Sequence, residues 1–286
     1  MAPDSTPDTT AEDQTWTPLH QARLTVAGFL ALAISDPRSE RWARLDDEEV
    51  RRGAVEAAAL LAQHPGAVPT DMAPGERPPG ELDLTSLVDG LSAPHDELVA
   101  EFDRVFGLVS SKECPPYETE YCPQTFSVFR SQEMADVAGY YAAFGLQPSR
   151  DVPERPDHVA LEIEFVAWLL VKECHAQRPD NPHAAEQVEV SRDAQKSFVE
   201  THLAWWLPAF AAALQRKVGE PEAESEDSYL GALADALAAW VPIERAVLGV
   251  DPPTELAAPS PSEEDSADCD ACGAGAPEDA RTGPPR

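Results

Sequence analysis

The chain has few basic residues, and lysine is especially scarce. Against 52 aspartate and glutamate residues it carries 21 lysines and arginines, so its formal net charge is −31. Only four of the basic residues are lysines, namely Lys112, Lys172, Lys196 and Lys217. Nucleic acids and anionic membranes bind basic surfaces, so this charge excludes both as partners and favours a basic segment of another protein. An acidic, lysine-poor, alanine-rich composition also predicts a halophilic source, by analogy with proteins of very salty cytoplasm.

A long apolar run is also lacking. The longest one, Val26–Ile34, is far shorter than the ~20 residues that a membrane-spanning helix needs. The first eighteen residues are polar, acidic and rich in threonine. They show neither the charged start nor the apolar core of a secretory signal. We therefore expect a soluble, cytoplasmic protein.

Cysteine is sparse, and the number of cysteines is odd. There are five, and without an export signal a disulfide framework is not expected. Cys269 and Cys272 form a CxxC pair, but a structural zinc site needs two further ligands. An alternative hypothesis is a metal-binding or redox protein that uses Cys114, Cys122, Cys174, Cys269 and Cys272. The simpler interpretation is that these cysteines are incidental, and we predict neither a metal nor a cofactor.

Recognisable catalytic motifs are missing as well. The chain has no glycine-rich phosphate loop, no HExxH and no GxSxG. One enzymatic alternative is a helical hydrolase or dehydratase in which Asp157 and His158 form an acid–base dyad, and it predicts a closed pocket behind His158. The structural interpretation of the same two residues is a helix cap and a hydrogen-bonded histidine. We predict a binding protein rather than an enzyme.

What the chain does have is helical periodicity. The segment between Pro94 and Gly107, for example, has its apolar residues at positions i, i+4, i+7 and i+8. Alternation of apolar and polar residues, as in strands, never persists for more than a few residues. The sequence therefore predicts an all-α fold, a single bundle of roughly ten helices in residues 16–250. We expect residues 1–15 to be a disordered acidic arm and residues 251–286 a disordered acidic tail rich in proline, serine and glycine.

The stretch that begins at Arg155 predicts the central helix of this bundle. Its apolar residues cover most of the helix circumference, which is typical of a helix enclosed by others. Pro156 is expected in the first turn, and Asp157 is expected to accept hydrogen bonds from free backbone N–H groups there. Glu162 and Glu164 interrupt the apolar surface, and each needs a partner or access to water.

A proline-rich segment, residues 110–124 with the sequence SSKECPPYETEYCPQ, breaks the helical pattern. Its prolines exclude regular helix through most of the segment, and irregular segments of this kind often carry function. Glu118 and Glu120 alternate with Tyr117 and Tyr121 at its centre. Carboxylates beside aromatic rings can hold a guanidinium group by paired hydrogen bonds and stacking. The alternative is that both are ordinary solvated carboxylates of an acidic protein.

Three short motifs, taken in order, resemble a known family. They are EFDRVF at residues 101–106, PPYE at residues 115–118 followed by Tyr121, and PDH at residues 156–158 before an apolar helix. In this order they resemble the TorD/DmsD/NarJ family, all-helical cytoplasmic chaperones without cofactors that serve molybdenum-containing oxidoreductases. The likeness covers residues 18–248. The fuller Pro-Pro-Tyr-Glu-x-x-Tyr form is most similar to chaperones of the dimethyl-sulfide and ethylbenzene dehydrogenase group, or of respiratory nitrate reductase.

The resemblance implies a binding role. The partner would be the apo catalytic subunit of a molybdopterin oxidoreductase of the DMSO-reductase family, held by its twin-arginine signal peptide or N-terminal segment until the cofactor is inserted. The residues at the family's recognition positions are Tyr117, Glu118, Tyr121, Asp157 and His158, and Glu120 completes the predicted client-binding set. Glu118 and Asp157 are expected to pair with client arginines, and the tyrosines to contact its apolar part. The protein is expected to be a monomer or a domain-swapped dimer.

Overall fold

The computed structural model describes residues 17–107, 112–123, 127–147, 149, 154–178, 180–220 and 228–259. Within these ranges lie nine α-helices: α1 (Pro18–Ala33), α2 (Glu48–Gln63), α3 (Thr85–Gly90), α4 (His95–Phe106), α5 (Ser127–Ala143), α6 (Val159–Ala176), α7 (Ala184–Phe198), α8 (Leu207–Val218) and α9 (Tyr229–Leu248). Short 3-10 turns span Glu40–Asp46, Pro65–Ala67, Pro79–Glu81 and Glu118–Glu120, and a π-helical turn spans Val199–Leu203. This part of the chain contains no strand, which confirms the all-α prediction. The predicted arm at residues 1–15, and the part of the predicted tail that carries Cys269 and Cys272, lie outside the described residues.

Local signals set the start of α1 and both ends of α4, and for α4 the sequence predicts them. Helix α1 begins at Pro18, and the Oγ1 atom of Thr17 accepts a hydrogen bond from the backbone N–H of His20 at 3.2 Å. Such a cap satisfies one of the free N–H groups at the helix start. Helix α4 follows Pro94 and ends at Phe106, just before Gly107, whose φ of 69° is strained for residues with a side chain.

Helices α6, α9 and α1 form the centre of the bundle. Helix α6 packs against α1 and α7, while α9 packs against α8, α3 and α1. The largest fully buried apolar and aromatic side chains include Trp206, Trp240, Tyr121, Tyr229, Phe165, Phe198 and Phe210. The two acids expected to interrupt α6 each have a partner: Glu162 accepts a hydrogen bond from Trp206, and the partly exposed Glu164 pairs with Arg41 at 2.7 Å. None of the helices in the described ranges is long and apolar enough to cross a membrane.

A proline inside α9 is accommodated by a partner from the loop that follows α2. Pro242 has no backbone N–H, so the carbonyl of Ala238, four residues earlier, loses its helical hydrogen bond. The backbone N–H of Arg77 donates to this carbonyl at 2.9 Å instead. The side chain of Arg77 also pairs with Asp235 on the same helix. The backbone carbonyl freed by Pro242 therefore binds the loop between α2 and α3 to helix α9.

Candidate functional site

Backbone hydrogen bonds join the proline-rich segment to the residues just before α6. The N–H of Glu118 donates to the carbonyl of Asp157 at 3.0 Å, and the N–H of Val159 donates to the carbonyl of Pro116 at 2.9 Å. Tyr117 and His158 thereby form an isolated antiparallel β-bridge, and their rings meet edge to face with centroids 5.4 Å apart. The two segments that the sequence singled out therefore meet at one place in the molecule.

The bridge also changes where the central helix begins. Helix α6 starts at Val159, and its N-cap is His158, whose Nδ1 accepts from the N–H of Ala160 at 3.2 Å. The prediction that Pro156 lies in the first turn and that Asp157 is the cap is wrong. The reason is that the residues before Val159 are held in extended conformation against the proline-rich segment, and the Asp157 carboxylate has other partners.

Those partners form a guanidinium site. Arg155 donates from Nε to Oδ1 of Asp157 at 3.0 Å and from Nη2 to Oδ2 at 2.7 Å. Nη2 also donates to Oγ1 of Thr119 at 2.7 Å, and Nη1 lies 3.4 Å from Oε1 of Glu120. The guanidinium carbon stands 4.1 Å from the centroid of the Tyr117 ring. A bidentate carboxylate pair and a stacked ring are the two contacts for which arginine is better suited than lysine.

We call Tyr117, Thr119, Glu120 and Asp157 the guanidinium box. The floor of the box is closed, since Asp157 is fully buried and Thr119 nearly so. Its rim is open, because the Arg155 side chain keeps 36% of its surface exposed and that of Glu120 keeps 28%. Thr119 adds its own hydrogen bond to Oδ2 of Asp157 at 2.8 Å, so the carboxylate is fixed in place.

At the rim of the box, Glu154 faces the Tyr117 hydroxyl. Tyr117 donates to Oε1 of Glu154 at 3.2 Å. Burial, and secondly the negative charge of Glu154, raises the pKa of Tyr117 to about 12, so the hydroxyl stays protonated. An intact, uncharged phenol keeps the ring face available for a cation.

Glu118 points the other way, into the protein. Its carboxylate is fully buried and lies 3.1 Å from Nδ1 of His202, while Nε1 of Trp205 donates to it at 3.0 Å. The other ring nitrogen of His202 lies 3.2 Å from a carboxylate oxygen of Asp136. Burial alone would lower the pKa of His202, but the hydrogen bond and charge of Glu118 raise it. With a carboxylate at each ring nitrogen, the imidazolium form suits this position, because only that form donates from both.

Glu162 lies deeper, beside Glu118, and it lacks a cationic partner among the described residues. Nε1 of Trp206 donates to its Oε2 at 3.1 Å, and its Oε1 has no hydrogen-bond partner. Burial raises the pKa of Glu162 well above its ordinary range, and the nearby charges of Glu118 and Asp157 raise it further. The layer behind the box is thus a buried acid cluster of Glu118, Glu162 and His202.

A π-helical turn brings these partners to the cluster. It spans Val199–Leu203, between α7 and the turn that precedes α8. A π turn adds a residue to the helical turn and rotates the side chains that come after it in the chain. His202, within this turn, and Trp205, just after it, reach Glu118, while Trp206 reaches Glu162. Sequence reasoning missed these three residues and also Thr119 and Arg155, and the only signal was the unusual His-x-x-Trp-Trp run from His202.

The predicted client-binding residues therefore separate into two groups. Tyr117, Glu120, Asp157 and His158 lie at the bridge and the box. Glu118 and Tyr121 are enclosed, with Tyr121 packed against Trp206 at a ring-centroid distance of 5.3 Å. Client binding by any of these residues stays a prediction.

The geometry offers no support for the acid–base dyad. The Asp157 carboxylate binds Arg155 and Thr119, whereas His158 accepts from the backbone of Ala160, so the two side chains serve different partners. Burial lowers the pKa of His158. Two surface cavities, of about 490 and 540 Å³, lie at the α5–α6–α7 corner and between α1, α2 and α6, and neither is lined by Asp157 or His158.

Cys114, Cys122 and Cys174, the three cysteines within the described ranges, are all buried. No group of three or more histidine, cysteine and acidic side chains within the described ranges could hold a metal ion. Burial raises the pKa of the Cys114 and Cys122 thiols to about 12 and that of Cys174 to about 11. Neutral thiols of this kind are poor metal ligands, because the thiolate is the binding form.

Comparison with known proteins assigns the fold and these motifs to a family. The family model described as "Nitrate reductase delta subunit" matches residues 76–212, which include the box and the acid cluster. The selenate reductase assembly chaperone protein of Thauera selenatis is 32% identical over 160 residues, 56% of this chain and 74% of that protein. The chlorate reductase assembly chaperone protein of Ideonella dechloratans is 35% identical over 82 residues, 29% of this chain and 40% of that protein. Chaperone protein TorD of Vibrio atlanticus (strain LGP32) is 28% identical, over 44% of this chain and 59% of that protein.

The chain spans about three quarters of the length of the selenate reductase assembly chaperone but less than two thirds of the length of the other two relatives. All three are named as chaperones and none as an enzyme, which confirms the prediction of a non-enzymatic protein. The helical fold, the three motifs and these relatives lead to one conclusion: the chain belongs to the TorD/DmsD/NarJ family of chaperones.

Proposed function

We propose that the protein is a cytoplasmic chaperone that binds the twin-arginine signal peptide, or the N-terminal segment, of a molybdopterin oxidoreductase catalytic subunit. It would keep the apo subunit competent for cofactor insertion and assembly before export. The observation that carries the proposal is the guanidinium box, in which a bidentate carboxylate and a tyrosine face already hold an arginine side chain. The named roles of the relatives as reductase assembly chaperones support the class of client.

The box would receive an arginine of the client. Asp157 would supply the bidentate pair and Tyr117 the stacking face, as they do for Arg155. Glu120 at the rim would add a second, partly exposed carboxylate. In a protein with a net charge of −31, a basic peptide also meets no general repulsion.

An apolar contact for the rest of the peptide lies nearby on α5. Val128 and Phe129 are 72% and 45% exposed at the start of this helix. The next residue, Arg130, pairs with Glu120 of the box at 2.9 Å, which fixes this end of α5 beside the rim. A signal segment with arginines followed by apolar residues would then place its charges in the box and its apolar part on α5.

Glu118 and Tyr121 would act indirectly in this proposal. Their side chains are enclosed, so they would hold the proline-rich segment in place while Tyr117, Glu120 and Asp157 contact the client. His158 would support the face of the box through its edge contact with the Tyr117 ring.

Calorimetric titration with a synthetic signal peptide tests the proposal. A peptide with the arginine pair should bind at least tenfold more tightly than one with two lysines, because lysine cannot make the forked pair. Arg155 competes for the same carboxylate, so the test of Asp157 uses the Arg155→Ala background. There, Asp157→Asn should weaken binding of the arginine peptide about 30-fold or more, because losing one partner of a buried charged pair costs ~2 kcal/mol or more and ~1.4 kcal/mol is tenfold.

Glu164→Gln provides the matched control. This change also removes one negative charge from the same region of the chain, but Glu164 lies on α6 and pairs with Arg41 rather than with the box. Peptide affinity should be unchanged. Equal binding of the lysine and arginine peptides, or equal effects of Asp157→Asn and Glu164→Gln in the Arg155→Ala background, would refute the proposal. Co-purification of the apo catalytic subunit with Arg155→Ala and not with Arg155→Ala/Asp157→Asn would extend the test to the whole client.

A further inference from the structure

Arg155 fills the box from within the chain. We propose that Arg155 is a placeholder, which occupies in the free protein the position that a client arginine takes on binding. Peptide capture is then an exchange of one guanidinium group for another. The inference rests on the proposed function for the identity of the client, but the placeholder itself concerns only residues of this chain.

The contacts of Asp157 show why an exchange is required. Its Oδ1 accepts from Nε of Arg155, and its Oδ2 accepts from Nη2 and from Thr119. The carboxylate is fully buried, so neither of its oxygens is open to solvent while Arg155 is bound. A second guanidinium group cannot pair with both oxygens while Arg155 is bound. A client arginine must therefore displace Arg155 or be limited to Glu120.

The unequal burial of the pair shows which member can leave. Asp157 is sealed, whereas the Arg155 side chain is 36% exposed and can swing into water by rotating its own bonds. Arg155 precedes α6, outside any helix, so its side chain can move without unwinding the bundle. Once in water, the Arg155 side chain regains conformational entropy, which offsets part of the entropy lost when the incoming arginine is ordered.

An internal arginine also avoids the loss of stability that an empty box would cause. A buried carboxylate without a cation is strongly destabilising, and Glu118 and Glu162 already place two acidic groups behind Asp157. With Arg155 in place, the carboxylate is paired both before and after exchange. The box can therefore stay preorganised for a guanidinium group without being left unpaired in the free chaperone.

Occupation from within lowers the apparent affinity for the client. When only a fraction of molecules has a vacant box, the apparent Kd rises by the inverse of that fraction, so a box filled about 90–99% of the time weakens binding by about 10-fold to 100-fold. Removing Arg155 should strengthen binding by a similar factor. Arg41→Ala is the comparison, because it also removes one positive charge, but the partner of Arg41 is Glu164 on α6 and not a residue of the box. Its removal should change binding by less than threefold.

The first arm of the test uses a small probe and no peptide. Arg155→Ala should lower the melting temperature, and millimolar ethylguanidinium should restore it in a saturable way, because the ion refills the box. Ethylammonium at the same concentration should restore less, and neither ion should stabilise the wild type or Arg41→Ala. If Arg155→Ala does not fold, Arg155→Gln, which keeps a neutral hydrogen-bonding side chain, replaces it. A response to ethylguanidinium no larger than that of Arg41→Ala would overturn the placeholder.

The second arm uses the arginine-pair signal peptide. Affinity for Arg155→Ala that exceeds the wild-type value by about 10-fold or more supports exchange. Tight binding that is equal in wild type and Arg155→Ala would overturn the placeholder and leave the proposed function standing. Rescue by ethylguanidinium without peptide binding to either protein would overturn the twin-arginine client of the proposed function, while supporting a box in which another guanidinium group can replace Arg155.

Discussion

Two arginine–carboxylate pairs in this molecule have almost the same geometry and different surroundings. Arg23 on α1 binds Glu244 on α9 with a shortest distance of 2.6 Å, and Arg155 binds Asp157 with a shortest distance of 2.7 Å. Both are bidentate. The side chains of the first pair are 3% and 2% exposed, whereas those of the second are 36% and 0% exposed.

The difference in topology matters as much as the difference in burial. Arg23 and Glu244 join α1 to α9, the first and last of the helices in the described ranges, and both side chains lie in the core. Arg155 and Asp157 are two residues apart, so their pairing joins no distant helices. A sealed pair between helices contributes to the fold, whereas an open pair within one short segment is free to exchange partners.

The largest expected effect comes from breaking the sealed pair. Arg23→Ala leaves the Glu244 carboxylate buried without its cation, and we expect a loss of about 3–5 kcal/mol in the free energy of unfolding. Urea denaturation measures this loss. Ethylguanidinium should not restore the stability, because the site has no opening to solvent. Saturable rescue like that expected of Arg155→Ala would contradict the link between exposure and exchange.

Glu162 extends the comparison to a buried carboxylate with no cation among the described residues. Burial raises the pKa of Glu162 in the folded chain. At pH values between the ordinary pKa of a glutamate and this raised pKa, Glu162 is therefore protonated in the folded chain and ionised in the unfolded chain. The stability that this group contributes is present in acid and is lost as the pH rises through the folded pKa. Glu162→Gln should therefore match the wild type in acid and exceed it by about 1–3 kcal/mol at alkaline pH.

Denaturation of wild type and Glu162→Gln across a series of pH values checks this sign. Because Glu118 and His202 also titrate nearby, only the difference between the two proteins reports on Glu162. A difference that shrinks with rising pH would show that Glu162 is stabilised as a carboxylate.

The smallest effect is expected at a pair that is open on both sides. Arg41 and Glu164 are 2.7 Å apart, with side chains 47% and 46% exposed. Arg41→Ala should change the free energy of unfolding by at most about 1 kcal/mol, since water replaces the lost contact. Thermal unfolding at low and high salt tests this value, and a loss comparable to that of Arg23→Ala would undermine the role given to burial.

Helix positions could largely be predicted from the sequence, because they depend on local signals. The limits of α4 follow from Pro94, the apolar spacing and Gly107. The start of α6 could not be predicted, although Pro156 and Asp157 have the chemistry of a helix start. Hydrogen bonds to Pro116 and Thr119, residues about forty positions away in the chain, override that local preference.

The site was predictable only as two segments that meet. Alternating acids and tyrosines indicated a guanidinium site, and the structure contains one at Asp157 and Tyr117, filled by Arg155. The burial of Glu118 was not predictable, since it depends on His202 and Trp205, which lie 84 and 87 residues further along the chain. Such pairings depend on tertiary packing, and no local pattern encodes them.

The π-helical turn at Val199–Leu203 makes the number of residues between α7 and α8 critical for the buried acid cluster. Each residue of an α-helix advances the direction of its side chain by about 100°, so deleting one residue here would turn both tryptophans away from their carboxylates at once. Substitutions can be accepted one at a time, but a change of length cannot. Homologous chains that preserve the cluster should therefore differ in composition along this turn while keeping the same spacing between the histidine and the two tryptophans.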